Sequence, residues 1–238
     1  YELIARSKPA LAKKLIKNML NDPSVELRRE AVQGILDRAQ KEDSTNLYET
    51  ALNAARDIDQ IDEAKNALTE AGIKVDLPLH FGFLMYWKVV GPFDNTGRKG
   101  FATIYPPENE INFAKSYTGK KGTVKWSNLK TADTYGMVDI NEPYGHLKEV
   151  VAYAHHTFES NDARKAEIRL GCKNAWKIWL NGSLVFERDE YHRGMRIDQY
   201  TLPIEIQKGK NQLLIKLCQN EQKESWTDQW QFQLRICD

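Results

Sequence analysis

The segment Leu170–Val185, LGCKNAWKIWLNGSLV, decides the fold of the C-terminal part of this 238-residue chain. Two short apolar runs flank the dipeptide Asn181-Gly182. A two-residue hairpin turn requires positive φ at both central residues, and Asn and Gly adopt that conformation at low cost. The segment therefore predicts two antiparallel strands joined by a tight turn at Asn181-Gly182.

Apolar residues keep a period of two in the strands that follow, which places them on one face of each strand. These positions are Trp176, Ile178 and Leu180, then Leu213, Ile215 and Leu217, and finally Trp230, Phe232, Leu234 and Ile236. We interpret them as core residues. The predicted strands cover residues 83–90, 122–129, 136–140, 148–158, 164–170, 175–180, 183–188, 200–206, 211–218 and 229–237. Ten short strands separated by turns favour an antiparallel sandwich over a βαβ sheet.

This pattern, over roughly residues 83–237, resembles a galactose-binding-like jelly roll, the sandwich of many carbohydrate-binding modules and of non-catalytic domains in glycosidases. A second signature is the segment Trp87–Asn95, WKVVGPFDN, followed by Gly100-Phe101 and Tyr105–Glu108. It resembles modules in large secreted or periplasmic multidomain proteins of planctomycete-like bacteria. The resemblance implies a periplasmic or extracellular location. Where that family often carries acidic residues, this chain has Cys172–Ala175, which argues against a calcium-binding or polar-ligand role for that turn.

The first part of the chain has a different period, because apolar residues recur there at helical spacing. Breaks at residues 21–24, 41–44 and 57–60 predict four short antiparallel helices within residues 1–75. Asp22-Pro23 is typical of a helix start, with Asp as N-cap and Pro in the first turn. The segment Asp22–Val32 resembles a HEAT-type repeat, although a generic helical bundle explains the same pattern.

The predicted organisation is therefore α + β and multidomain. A HEAT-like helical domain over residues 1–75 is followed by a linker over 76–82. An all-β jelly-roll sandwich of the galactose-binding-like type then covers 83–238. Both ends interrupt the pattern abruptly, so we interpret the chain as a fragment of a longer protein.

Composition narrows the classes of partner. The chain is 41% hydrophobic and 28% charged, and its net charge is +1. A net charge this small creates no strong electrostatic attraction to nucleic acid or to a membrane surface. No apolar run approaches the roughly 18 residues that span a bilayer. We therefore expect neither partner.

Cysteine and histidine spacing predicts neither a disulfide framework nor a metal site. Cys172, Cys218 and Cys237 are odd in number and lack a CxxC spacing, so we expect at least one free thiol. One bridge with one free thiol is the alternative. The predicted strands place Cys218 and Cys237 on adjacent strands but near opposite ends of the ladder, which opposes their pairing. His155-His156 are neighbours on a predicted strand and point to opposite faces, so they cannot chelate one ion. We expect no cofactor.

No catalytic motif is recognisable, since the chain has no G-x-S-x-G sequence and no convincing Cys/His arrangement. The remaining candidates are aromatic and polar residues in two loops: Trp226 in the last loop, and Tyr191, His192 and Arg193 in an earlier one. An aromatic ring in a polar loop offers a flat apolar face for a sugar ring. The alternative is that these rings fold back and cap the end of the sandwich.

We therefore expect a module that is not an enzyme itself, binding a polysaccharide or oligosaccharide or docking a substrate within a larger secreted protein. Its alternative function is a structural or protein–protein interaction module that orients neighbouring domains of the same chain.

Overall fold

The computed structural model describes residues 1–238, which divide into two compact units, Tyr1–Phe81 and Gly82–Asp238. The first unit contains helices and no strand, and the second is built around antiparallel sheets. This order confirms the switch in hydrophobic period that the sequence indicates. No helix in the chain is long and apolar enough to cross a bilayer.

The helical unit has more helices than the four predicted. They are α1 (Glu2–Ser7), α2 (Pro9–Ile16), α3 (Val25–Glu42), α4 (Thr45–Ala54), α5 (Ile58–Glu70) and α6 (Leu77–Phe81). The first predicted helix is split ahead of Pro9, because proline has no N–H to donate within a helix. Helix α1 buries no residue, whereas α3 alone buries five. The core of this unit is therefore formed by α3, α4 and α5.

Helix α3 begins later than predicted. Its N-cap is Ser24, whose hydroxyl accepts a hydrogen bond from the N–H of Leu27 at 3.3 Å. Asp22 lies two residues before the N-cap, and its carboxylate accepts a hydrogen bond from the N–H of Ser24 at 2.8 Å. Asp22 therefore stabilises the turn that precedes the helix. Both residues have short polar side chains suited to capping, so the sequence pattern alone does not show which of them is the N-cap.

The predicted linker is wrong in part, because residues 77–81 form α6 and its Leu77 and Phe81 are buried. Two apolar side chains at i and i+4 lie on one face of a helix, and burying them stabilises a turn that we took for a connector. The boundary between the units falls after Phe81.

The second unit is a two-sheet antiparallel sandwich. Its strands are β1 (Tyr86–Asp94), β2 (Ser116–Thr118), β3 (Thr123–Lys125), β4 (Ser127–Lys130), β5 (Val138–Asp139), β6 (Val150–Ser160), β7 (Arg164–Cys172), β8 (Ala175–Leu180), β9 (Ser183–Arg188), β10 (Tyr200–Ile206), β11 (Gly209–Gln219) and β12 (Gln231–Cys237). One sheet has the order β4-β1-β6-β11-β8-β9 and the other β10-β7-β12-β5, while β2 and β3 form a separate hairpin. Two helical turns, α7 (Pro106–Asn109) and α8 (Asn141–Tyr144), lie in the connections.

The core between the two sheets uses the alternating positions that the sequence indicates. Trp176, Ile215, Trp230 and Phe232 have no exposed surface, and Ile236 is half-buried at the margin. The hairpin is also as predicted. Asn181 and Gly182 have φ of 51° and 82°, and Leu180 and Ser183 are paired across the turn.

A second apolar cluster on the outer face of the six-stranded sheet was not predicted. It includes Val90, Phe93, Tyr153 and Leu214. Phe101, Tyr117 and Val124 cover it from residues 95–126, between β1 and β4, which we call the covering segment. β6 is consequently buried on both faces along most of its length. In the covering segment the sequence predicts only the start of a strand over residues 122–129, because the remainder has no clear period.

The cysteines form no disulfide bond, and Cys172 and Cys218 are buried free thiols. Cys218 lies in the six-stranded sheet and Cys237 in the four-stranded one. Our placement of these two residues on adjacent strands was therefore wrong. Consecutive strands of a sandwich often cross from one sheet to the other, and local sequence does not reveal when they do.

Candidate functional site

Two loops and one strand end meet at one end of the sandwich, and they bring together most of the predicted ligand-binding residues. The loop after β9 carries Tyr191 and His192, and the loop after β11 carries Trp226. His192 Nε2 lies 2.7 Å from Asn220 Oδ1, which joins the two loops. The amide of Asn95, just after β1, donates to the Tyr191 hydroxyl at 3.1 Å. We call Trp226, Tyr191 and His192 the loop site.

Trp226 presents its indole to solvent. Its exposed fraction is 59%, whereas Trp230, four residues later, is completely buried. The indole meets the His192 ring edge to face, with centroids 5.5 Å apart and planes at 85°. The alternative, in which this ring folds back to cap the sandwich, is therefore not what the structure adopts.

Hydrogen bonds and an ion pair fix the backbone around Trp226. Trp226 lies in a 3₁₀ turn over Ser225–Thr227, and Thr227 has no exposed surface. Lys148 donates to the carbonyl oxygen of Thr227 at 3.1 Å and pairs with Asp228 at 2.9 Å. An exposed ring on an ordered turn loses little conformational freedom when a ligand covers it.

Tyr191 is half-buried, and its ring lies under a cation. The Arg98 guanidinium is 5.3 Å from the ring centroid and also binds the Glu221 carboxylate, with Nε to Oε2 at 3.1 Å. Burial raises the pKa of the Tyr191 hydroxyl. The group therefore remains a neutral phenol, able to donate as well as accept a hydrogen bond.

Arg193 differs from the other predicted residues because its guanidinium pairs with Glu190 at 2.5 Å. Its backbone N–H donates to the carbonyl oxygen of Lys173 at 3.2 Å. The structure thus places Arg193 on the same loop as Tyr191 and His192, where it shares the Glu190 carboxylate with Arg188.

Buried amide side chains that we did not predict support the loop site. Asn95, Asn174, Gln219 and Asn220 each have at most 1% of their surface exposed. Gln219 accepts from Asn174 at 3.2 Å and donates to the Thr227 carbonyl at 2.9 Å. Buried polar side chains that hydrogen-bond to one another fix loop geometry, and of these four amides only Asn95 has a side-chain oxygen without a partner. The sequence signal was present, since amides directly follow the apolar runs of β1 and β11, but such residues are equally typical of turns.

The structure offers few candidate residues for metal binding or catalysis. No three His, Cys, Asp or Glu side chains are grouped so that they could hold a metal ion. His155 and His156 point to opposite faces of β6, as predicted. His155 packs against Phe113 with centroids 5.1 Å apart, and His156 Nδ1 lies 2.7 Å from the carbonyl oxygen of Tyr86. Burial lowers the pKa of both rings.

No protein-family model matches the chain, and no curated protein is detectably similar to it in sequence. Among solved structures, it is similar to a β-glucosidase from Kluyveromyces marxianus, with 10% identity and a TM-score of 0.38 over 63% of this chain and 16% of that one. It is also similar to an FMN-binding β-glucuronidase from Faecalibacterium prausnitzii L2-6, with 13% identity, a TM-score of 0.35, and coverage of 63% and 21%. A third similar structure is a GH2 β-galacturonidase from Eisenbergiella tayi bound to glycerol, with 11% identity, a TM-score of 0.35, and coverage of 64% and 24%. The chain therefore spans less than a quarter of the length of each of these three proteins.

Proposed function

We propose that the sandwich unit is a non-catalytic carbohydrate-binding or substrate-docking module and that the loop site contacts the sugar. The observation that carries this proposal is the contrast between Trp226, 59% exposed at the end of the sandwich, and Trp230, fully buried in its core. The exposed indole offers a flat apolar face that fits the C–H side of a pyranose ring.

Polar groups beside the indole can bind sugar hydroxyls. His192 lies next to the indole, and the Tyr191 ring lies beside His192, with centroids 6.2 Å apart. Both side chains can donate or accept a hydrogen bond. Several charged side chains of these loops form ion pairs: Arg98 pairs with Glu221, and Arg188 and Arg193 both pair with Glu190. Ion pairs within the loops reduce their attraction for a charged ligand, so we propose a neutral oligosaccharide over an acidic one.

The wider context belongs to the same proposal. We infer a galactose-binding-like jelly roll preceded by HEAT-type repeats, within a larger periplasmic or extracellular protein of which this chain is a part. These inferences rest on the sequence resemblance. They are tested by identifying the full-length chain and its compartment.

The test combines a glycan array with calorimetric titration of the best neutral oligosaccharide. Trp226→Ala should weaken binding roughly tenfold to a hundredfold, since stacking on an aromatic ring contributes about 1–3 kcal/mol by analogy with nucleic-acid bases. Trp226→Phe should retain part of the affinity. Leu184→Ala serves as the matched control, because Leu184 is 50% exposed in the β8–β9 hairpin and lies outside these loops.

Trp230→Ala separates binding from folding. It should destabilise the core by roughly 3–5 kcal/mol, whereas Trp226→Ala should leave the free energy of unfolding nearly unchanged. Unchanged affinity of a folded Trp226→Ala protein would show that the sugar binds elsewhere. A wild-type protein that binds no saccharide of the array would contradict the function itself.

A second function, the orientation of neighbouring domains, is favoured by one observation in the helical unit. A groove of about 440 Å³ there includes Leu52, Leu68 and Ile73, and Leu79 beside them is 79% exposed. We infer that Leu79 and the apolar side chains of the groove contact a neighbouring domain. Leu79→Glu in the full-length protein should then increase protease sensitivity between its domains, and unchanged sensitivity would argue against this function.

A further inference from the structure

A separate groove of about 570 Å³ crosses the outer face of the six-stranded sheet. Strands β4, β1, β6 and β11 contribute to it, and Phe113 from the covering segment lines it as well. Pockets of about 300–1,000 Å³ are typical of small-ligand sites. We call this surface the lysine groove, and none of its lining residues belongs to the loop site.

Three lysines from three different strands line the groove: Lys130 on β4, Lys88 on β1 and Lys210 on β11. No Asp or Glu is among the lining residues. The ammonium group of Lys88 donates to the Asn128 amide oxygen at 3.0 Å and stands 5.1 Å from the centroid of the Phe113 ring. The ammonium group of Lys130 stands 5.1 Å from the centroid of the Tyr86 ring. The groove thus has a local positive charge in a protein of net charge +1.

The strand register explains why these groups converge. Lys88 is the direct cross-strand partner of Asn128 on one side and of His155 on the other, and Tyr86 is the partner of Lys130. Side chains of directly paired residues lie about 5 Å apart on the same face. Lys88, Lys130, the Asn128 amide and the Tyr86 ring therefore share one rigid surface that is set by the sheet, whereas Lys210 is the direct cross-strand partner of Glu159.

The groove also offers an aromatic wall. Tyr86 is 60% exposed and Phe113 is 44% exposed, so both rings present apolar surface beside the cations. His155 forms part of the floor and is almost completely buried. Cations beside exposed aromatic rings fit a ligand that combines an apolar ring face with negative charges along its edge.

We propose that the lysine groove binds an acidic oligosaccharide, with carboxylate or sulfate groups paired to Lys88, Lys130 and Lys210 and a sugar ring against Tyr86. This site goes beyond the proposed function, because it assigns a charged saccharide to a surface that the loop site does not use. Nucleic acid is a poorer fit, since three lysines confined to one groove do not form the extended basic track that a phosphate backbone requires.

The experiment compares oligogalacturonate, dextran sulfate, neutral dextran and a DNA oligonucleotide by calorimetric titration of the whole chain. The test variant is Lys88→Gln/Lys130→Gln/Lys210→Gln. The control is Lys41→Gln/Lys121→Gln/Lys165→Gln, which removes the same charge from three exposed lysines outside the groove. Thermal unfolding establishes that both variants fold.

We expect one or both acidic saccharides to bind the wild type and neutral dextran not to bind in this groove. The groove variant should lose at least tenfold in affinity and the control less than twofold. Added salt should weaken binding of the wild type more than that of the groove variant, because it screens the lysine contacts. Tyr86→Ala should lower affinity without changing the salt dependence. The preferred saccharide of the two identifies the anionic group.

The proposal is overturned if neither acidic saccharide binds, if the groove and control variants lose affinity equally, or if the DNA oligonucleotide binds more tightly than both saccharides. Trp226→Ala distinguishes this result from the proposed function. Trp226→Ala should leave the binding of oligogalacturonate and dextran sulfate unchanged. The two proposed sites can therefore be confirmed or rejected independently.

Discussion

The ammonium group of Lys216 lies 2.8 Å from the Glu108 carboxylate, and the lysine side chain has no exposed surface. Lys216 belongs to β11, on the outer face of the six-stranded sheet, whereas Glu108 belongs to the covering segment. The same ammonium group donates to the carbonyl oxygens of Phe101 at 3.1 Å and Thr103 at 2.7 Å. The Tyr153 hydroxyl also donates to Glu108. The buried ammonium group of Lys216 therefore links the covering segment to the sheet.

Lys216→Met should destabilise the protein by roughly 3–5 kcal/mol, because it leaves the Glu108 carboxylate buried without its cation. The double variant Lys216→Met/Glu108→Gln should recover part of that loss, since no unpaired charge remains. Chemical denaturation gives the free energies of unfolding. Lys210→Met, on the same strand but exposed, is the control and should change stability by at most about 0.5 kcal/mol. Equal stability of Lys216→Met and wild type would show that the pair contributes nothing.

Gly182→Val should destabilise the β8–β9 hairpin by about 1 kcal/mol or more. The φ of Gly182 is 82°, which is strained for a β-branched residue. Gly194→Val is the matched control, because Gly194 has open space around its Cβ position and no positive φ. Thermal unfolding of the two variants measures the difference. A similar loss in both would mean that the strain at the turn is not the cause.

Cys172 and Cys218 should resist thiol reagents in the folded protein. Both are buried, and burial raises the pKa of each thiol to about 12. The thiolate is the reactive form, so labelling at about pH 8 requires unfolding. A Cys237→Ser background should show no modified cysteine in native buffer and two in denaturant, counted by mass spectrometry. Rapid labelling of either residue in the native protein would contradict the burial.

The free energy of unfolding should fall as the pH drops below about 6.5, the ordinary pKa of histidine. Burial lowers the pKa of His155 and His156 in the folded state, so the unfolded chain binds more protons in this range. The stability associated with each neutral ring is therefore present above its unfolded pKa and is lost as the pH falls toward the folded one. Lys88 and Lys210 oppose protonation of His155 as well.

Urea denaturation between about pH 7 and about pH 5 checks this dependence. His155→Gln should reduce the change in the free energy of unfolding with pH, and His155→Gln/His156→Gln should reduce it further. A slope that is the same in wild type and double variant would assign the pH dependence to other groups.

The sequence by itself determined the alternation of buried and exposed residues in the sandwich strands, the Asn181-Gly182 turn and the helical nature of the first unit. These features follow from local rules: the two-residue period of a strand, the 3.6-residue period of a helix and the cost of positive φ. It also indicated Trp226, Tyr191 and His192, because aromatic rings within polar loops contrast with their surroundings.

Only the tertiary structure decided which strands share a sheet and therefore which distant residues meet. Cys218 and Cys237 belong to different sheets, β6 is buried on both faces, and Lys216 is a core residue although lysine is usually exposed. The lysine groove has the same origin, since Lys130, Lys88 and Lys210 are brought together by strand order and register. Pairing between strands is a long-range choice made by the sum of many contacts, and no local window of sequence contains it.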